Sequence, residues 1–403
     1  MSDPAKKPGQ QPESYQPQKP EMMKLMEEQA LGRTEVQGAS ESALSSGGSG
    51  NILRGVPKAH YGAFGGVTPF PICLKAVSDY LGDEVDYAYA IVACGGAFRF
   101  AWDTTKWEGG NVDIMLAYEN AELPFRYGIT ALGREFKMLW RAENVRCHPG
   151  SAGKEEFKAF IKEQIDAGRP VIALGPIGPG EAGILTGYRD GGDTLLGWSV
   201  FQDWACETFD DEGYFITDAW WDEGDFHGVM ALGDIHAPRW GAKQIAANGI
   251  AALEGRQEGN NAKGVAAYDA WKKAILAADK SDFALKCGGD HLVMMCQGDA
   301  TDCLMDGRHH AREYFKALAE EHPEQPLYGK IAAQFGIVAE TIDKKIYKFL
   351  HGYMRGKKQI RALEKARTRR KIGKAIDVMK AADEKALALM KELLAAFENE
   401  ATA

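Results

Sequence analysis

Between residues 69 and 82 the chain reads PFPICLKAVSDYLG, with Leu74, Val77 and Leu81 at the three- and four-residue spacing of one buried helix face. Lys75, Ser78 and Asp79 fall on the opposite side. Thr68 is placed to cap this helix, Pro69 and Pro71 suit its first turn, and Gly82 suits the position after its end. A second helical period runs through EEFKAFIKEQIDAG, residues 155–168. The pattern then shortens to apolar runs parted by glycine turns: PVIALG (170–175), AGILTGY (182–188), DTLLGWSVF (193–201), GYFITDAWW (213–221) and HGVMALGD (227–234). Helices followed by closely spaced strands predict an α+β domain over 51–240 with antiparallel pairing.

After Trp240 the period turns helical and stays so, through AKQIAANGIAALEG, GVAAYDAWKKAILAAD, DGRHHAREYFKALAEE and the long stretch from Leu327. This predicts an all-helical accessory domain at 241–352 and a C-terminal helical segment at 353–403, basic and then mixed in charge. Residues 1–50 are rich in Pro, Gln, Lys, Glu and Ser and end in SSGGSG, a composition that predicts a disordered tail. Within it, MMKLMEEQALG (22–32) has the pattern of a brief amphipathic turn.

Composition narrows the classes. The 403 residues are 45% hydrophobic, and no apolar run approaches the ~20 residues needed to span a bilayer, so no membrane partner is expected. No charged stretch followed by an apolar one opens the chain. Seven scattered cysteines suit reduced thiols, and a cytoplasmic location is expected. A net charge of −9 argues against nucleic acid as a partner of the whole chain. The exception is Lys344–Lys374, where about a dozen Lys and Arg face one acid, Glu364. That segment suits phosphate or an acidic surface, and equally a solvated helix balanced by acids elsewhere.

Cys73 sits in the opening turns of the first helix, where unpaired N–H groups favour a thiolate; the same position suits a small core residue. A thiol nucleophile needs a base and a group to orient it. His227 opens one strand-like run and Glu181 stands before another, so adjacent strands would carry both to one rim of the sheet, facing Cys73. Both also read as ordinary turn or loop residues. His60 is the second choice of base. His309 and His310 lie among Arg308, Arg312 and Glu313, as on a charged helix surface, and His148 reads as a turn residue.

No metal or other cofactor is expected. Cys287, His291, Cys296 and Cys303 are near one another in sequence but include no C-x2-C pair, and the glycine-rich GPIGPG and CGGAFRF match no nucleotide-binding loop. Tryptophans and phenylalanines in FRFAW, GWSVFQDW and DAWW suit either an apolar pocket or plain core.

The helix that carries Cys73, the segment DYAYAIVACGGAFRFAWDTTKWEGGNVD, the run GPIGPGEAGILTGY and the helical text AAYDAW to DGRHHAREYF together resemble a known group. They are similar to papain-like proteins of the bacteriocin-processing, double-glycine peptidase type. More specifically, they resemble the uncharacterised proteins related to the butirosin-biosynthesis H protein, over about residues 52–345.

The resemblance implies a papain-like domain with a helical accessory domain. It also implies a cysteine that accepts an acyl group and passes it to water or an amine; one relative is an acyltransferase in aminoglycoside synthesis. Cys73 matches the nucleophile position. Glu181 stands where processing peptidases carry their catalytic histidine, and Val67 where papain-like peptidases carry the oxyanion glutamine. The expectation is a site of Cys73, His227 and Glu181 acting on a small molecule or an acyl group on a carrier. The alternative is a non-catalytic protein that binds a small molecule or peptide in the same fold. Neither the sequence nor the resemblance sets the oligomeric state.

Overall fold

The computed structural model describes residues 50–111, 113–142, 149–206, 208–222, 225–277, 290–349 and 356–400. Residues 1–49 of the tail expected at 1–50, with His148 and Cys287, lie outside them, as does the side chain of His291. Strands are β1 (Asn51–Ile52), β2 (Ala101–Asp103), β3 (Arg134–Trp140), β4 (Val171–Leu174), β5 (Ala182–Arg189), β6 (Thr194–Ser199), β7 (Phe215–Thr217), β8 (Gly228–Ile235), β9 (Arg256–Glu258) and β10 (Asn261–Lys263). Helices are α1 (Pro69–Tyr80), α2 (Tyr87–Ala93), α3 (Leu123–Ala131), α4 (Lys154–Asp166), α5 (Gln202–Ala205), α6 (Ala242–Leu253), α7 (Ala266–Ala277), α8 (Asp290–Glu321), α9 (Leu327–Thr341), α10 (Gly356–Glu364) and α11 (Ala366–Glu400).

The strands form an antiparallel sheet in the order β3-β8-β4-β5-β6-β7, with β1 beside the second half of β5. At that point a side chain on Gly187 would come 2.8 Å from the Asn51 carbonyl, so a glycine there lets β1 close in. Period-two alternation gives the sheet two buried faces. Ile172, Leu174, Ile184, Leu196 and Met230 pack with Cys73, Leu74 and Val77 of α1. Val171, Ala173, Leu185, Leu195 and Val229 pack on Phe157, Ile161 and Ile165, the i, i+4, i+8 stripe of α4.

Helix α1 forms where its pattern placed it. Lys75 pairs with Asp79 at 2.7 Å on the open side, and Gly82, at φ 83°, follows the end. Beyond Trp240 the chain is helical, but its core is continuous with that of the sheet: Phe315 and Phe335 belong to the same cluster as Cys73 and Ile184. A second small sheet also crosses the expected boundary, as β10 pairs with β2 and β9. Helix α8 is fixed to α11 by a fully buried ion pair, Arg308 Nη2 to Asp383 Oδ2 at 2.7 Å. No helix among the described residues is long and apolar enough to cross a membrane.

Candidate functional site

Cys73 is the fifth residue of α1 and has no exposed surface. Of the two readings the sequence offers, a thiolate favoured by the helix N-terminus and a small core residue, the structure supports the second. Pro69 and Pro71 carry no N–H, and the Ile72 N–H is closed onto Thr68 O at 3.3 Å, so little of the usual positive end remains. Burial, and then the charge of Glu181, push the Cys73 thiol well above its ordinary pKa. The thiol is neutral at physiological pH.

Glu181 reaches this thiol because its backbone leaves the ladder. Its carbonyl still accepts the Gly175 N–H at 2.8 Å, but its own N–H turns back onto Pro179 O at 2.7 Å just before β5. His227 stays in register. Its N–H donates to Leu174 O and its carbonyl accepts from Arg141 N, both at 2.9 Å. Alternation from Val229 therefore sets His227 on the α4 face of the sheet, away from Cys73. Its ring packs against Gly180, where a Cβ would come 2.5 Å from Nε2. Both residues stand at the same end of the sheet, on either side of β4, yet only Glu181 turns toward the thiol. His60, the second choice, is exposed, with Nδ1 3.0 Å from the Tyr61 carbonyl.

The groups that do surround Glu181 come from three other parts of the chain. Its pKa is raised to about 8, first by burial and next by the charge of Asp113, with Asp299 adding to the rise and Arg99 opposing it. Asp299 is likewise raised to about 8, with burial the first cause, and burial also raises Asp113. Tyr61 and Cys303 lie in the same field. Glu181, Asp113, Tyr61 and Cys303 all keep some open surface, although desolvation is the first cause of each shift. Groups that are deeply embedded yet partly open line a recess. Three carboxyls there face a single guanidinium.

Helix α8 supplies one wall. Asp299, Cys303, Asp306 and His310 recur at intervals of four, three and four residues and so share one face. Arg99 Nη2 donates to Cys303 Sγ at 3.1 Å and to Thr68 Oγ1 at 3.4 Å. The Thr68 hydroxyl does not cap its own helix; it donates to Asp306 Oδ2 at 2.7 Å, which also accepts from Tyr87 at 2.9 Å. His310 Nε2 lies 3.5 Å from Asp306 Oδ1 and 3.3 Å from the Gly65 carbonyl. The start of the Cys73 helix is thus bonded directly to the helical half.

This corrects the reading of Arg308 and His310 as a charged surface, since both are buried. It also adds Arg99, Asp113, Asp299, Cys303 and Asp306 to the site. A signal for the α8 residues was available: polar side chains at helical spacing, in phase with one another, where an apolar core face was due.

Among the described residues no group of three or more His, Cys, Asp or Glu is arranged to hold a metal ion. Cys296 donates to the Glu108 carbonyl at 3.0 Å, and Cys303 accepts from Arg99. Compared with protein-family models and with curated proteins, the chain matches none.

Proposed function

We propose that the chain is a binding protein of the papain-like type and that its ligand is a small molecule carrying a protonated amine, seated in the recess beside Cys73. The observation that supports this reading is the gathering of Glu181, Asp113 and Asp299 around one space with Arg99 as the nearby cation. Buried carboxyls with too little positive charge hold their protons; an ammonium group supplies the missing charge and the hydrogen-bond donors. Turnover through a thiolate is the weaker reading, because burial keeps the thiol neutral and His227 lies on the other face of the sheet. No disulfide joins the described cysteines to one another, which fits a reducing, cytoplasmic setting.

Calorimetry with spermidine and with an aminoglycoside, each against a neutral analogue, tests the proposal. A carboxyl with a pKa of about 8 is ~90% protonated at pH 7. Binding an ammonium should therefore release protons, read as a heat that varies with the ionisation enthalpy of the buffer. Glu181→Gln and Asp299→Asn should each weaken binding about tenfold or more. Absence of amine binding, or binding indifferent to both substitutions, would overturn the proposal.

One observation favours a second reading. Glu181 is a carboxyl tuned close to neutral pH beside a cysteine, as a general base requires. In that case its carboxylate takes the thiol proton, sulfur attacks the acyl carbon to form a thioester, and Glu181 passes the proton to the departing carrier group. The ligand, as its neutral amine, then displaces sulfur, and Glu181 carries the proton lost by the amine nitrogen to the thiolate. Iodoacetamide separates the two readings: rapid labelling of Cys73 ahead of the partly open Cys206 and Cys303 favours acyl transfer, and slow labelling favours binding alone.

A further inference from the structure

A cleft of about 390 Å³ lies between the end of β2 and the β9–β10 hairpin, on the outer side of the chain at Gly110 and Asn111. Its floor contains Asn111, which is only 5% exposed; Nδ2 reaches the Cys296 carbonyl at 3.4 Å, while Oδ1 is buried without a donor. Glu258 is already matched: Oε1 accepts from Lys263 at 2.8 Å, and Oε2 faces the Arg256 Nε–H at 3.7 Å. Asp103 adds a second acceptor. Its Oδ1 takes all three bonds from Thr105 and Lys106, which leaves Oδ2 without a donor among the described residues. Gly110 and Gly259 also line the cleft, and the space where each would carry a Cβ is empty.

We propose that this cleft is a binding site for a neutral, hydroxyl-rich ligand, a carbohydrate or polyol. Two oxygens without donors, Asn111 Oδ1 and Asp103 Oδ2, call for a ligand that donates hydrogen bonds. The choice between hydroxyl and ammonium follows from charge. Asp103, Glu108 and Glu258 stand with Lys106, Arg256 and Lys263: Lys106 contacts Glu108, Lys263 bonds Glu258, and Arg256 Nε lies 3.7 Å from Glu258. The carboxylates are already balanced, unlike those of the inner recess, so the cleft lacks donors rather than positive charge. The space is far larger than one ion needs, and Leu116 is the one large apolar side chain among its lining residues. The chain at Gly110 borders both sites, since its N–H donates to Asp299 Oδ2 at 3.4 Å.

Saturation-transfer NMR on the full chain, with trehalose and sorbitol as hydroxyl probes and spermidine as the cationic competitor, tests this. Both hydroxyl probes should receive saturation, and spermidine should leave the signal unchanged. Asn111→Leu removes the buried acceptor and Leu116→Trp fills the space; each should weaken binding at least tenfold while the melting curve stays cooperative. Since Asn111→Leu also loses the bond to Cys296, Leu116→Trp stands as the independent variant. Glu181→Gln should retain the signal, which keeps this result separate from the fate of the amine site. The proposal is overturned by no transfer to either probe, by transfer unchanged in both variants, by displacement with spermidine, or by loss in Glu181→Gln.

Discussion

Replacing Glu181 with Gln should tilt the pH dependence of stability. In the folded chain this carboxyl holds its proton up to about pH 8, against 4.5 for an ordinary glutamate, because burial and the neighbouring Asp113 disfavour its charge. Between those values the folded state binds more protons than the unfolded one, so stability falls as pH rises. The contribution is fully present below pH 4.5 and is lost as pH rises through 8. One pKa unit corresponds to about 1.4 kcal/mol. Glu181 alone should therefore cost roughly 2–3 kcal/mol between pH 5 and pH 7, and about 5 kcal/mol over the whole window. Glutamine has the shape of the protonated acid and does not titrate.

Urea unfolding of both proteins at pH 5, 6, 7 and 8 supplies the measurement. Asp299 gives a slope of the same sign in each, so the informative quantity is the difference between them. Glu181→Gln should gain on the parent by about 1.4 kcal/mol per pH unit between pH 5 and pH 8 and then level off. Parallel profiles would refute the reasoning: the carboxyl would then be ionised and solvated in the folded state, and the recess would not be short of positive charge.

Other substitutions probe the contacts that hold the two halves together. Asp383→Asn leaves Arg308, which is fully buried, without its counter-charge and should cost about 3–5 kcal/mol in chemical unfolding, with Arg308→Met/Asp383→Leu much less destabilised. Thr68→Val removes the hydroxyl that donates to Asp306 and should cost about 1.5–3 kcal/mol; a loss below 0.5 kcal/mol would mean that this bond does not secure the Cys73 helix. Gly307→Ala places a Cβ 2.7 Å from the Ala97 carbonyl, so overpacking of about 1–3 kcal/mol should outweigh the ~1 kcal/mol gained in helix propensity. A higher melting temperature for that variant would show that α8 can move away from Ala97.

The local elements were legible in the sequence, because period, capping and glycine turns act over a few residues. Helix α1 runs from the first proline to the residue before its C-cap, β4 and β6 fall within the runs read as strands, and β5 and β8 each extend one residue past theirs. The positions of Glu181 and His227 just ahead of two strands were legible for the same reason. Which way each side chain turns was not: a single N–H decides it, closed onto Pro179 for Glu181 and onto Leu174 for His227. Nor could local pattern foresee that two prolines and complete burial reverse the expected effect of a helix start on Cys73. The acidic recess joins Arg99, Asp113, Glu181 and Asp299, which are far apart in sequence and meet only when α8 packs across the sheet half. Spacing encodes faces and turns; the electrostatics of a buried site depends on what the completed fold excludes from water.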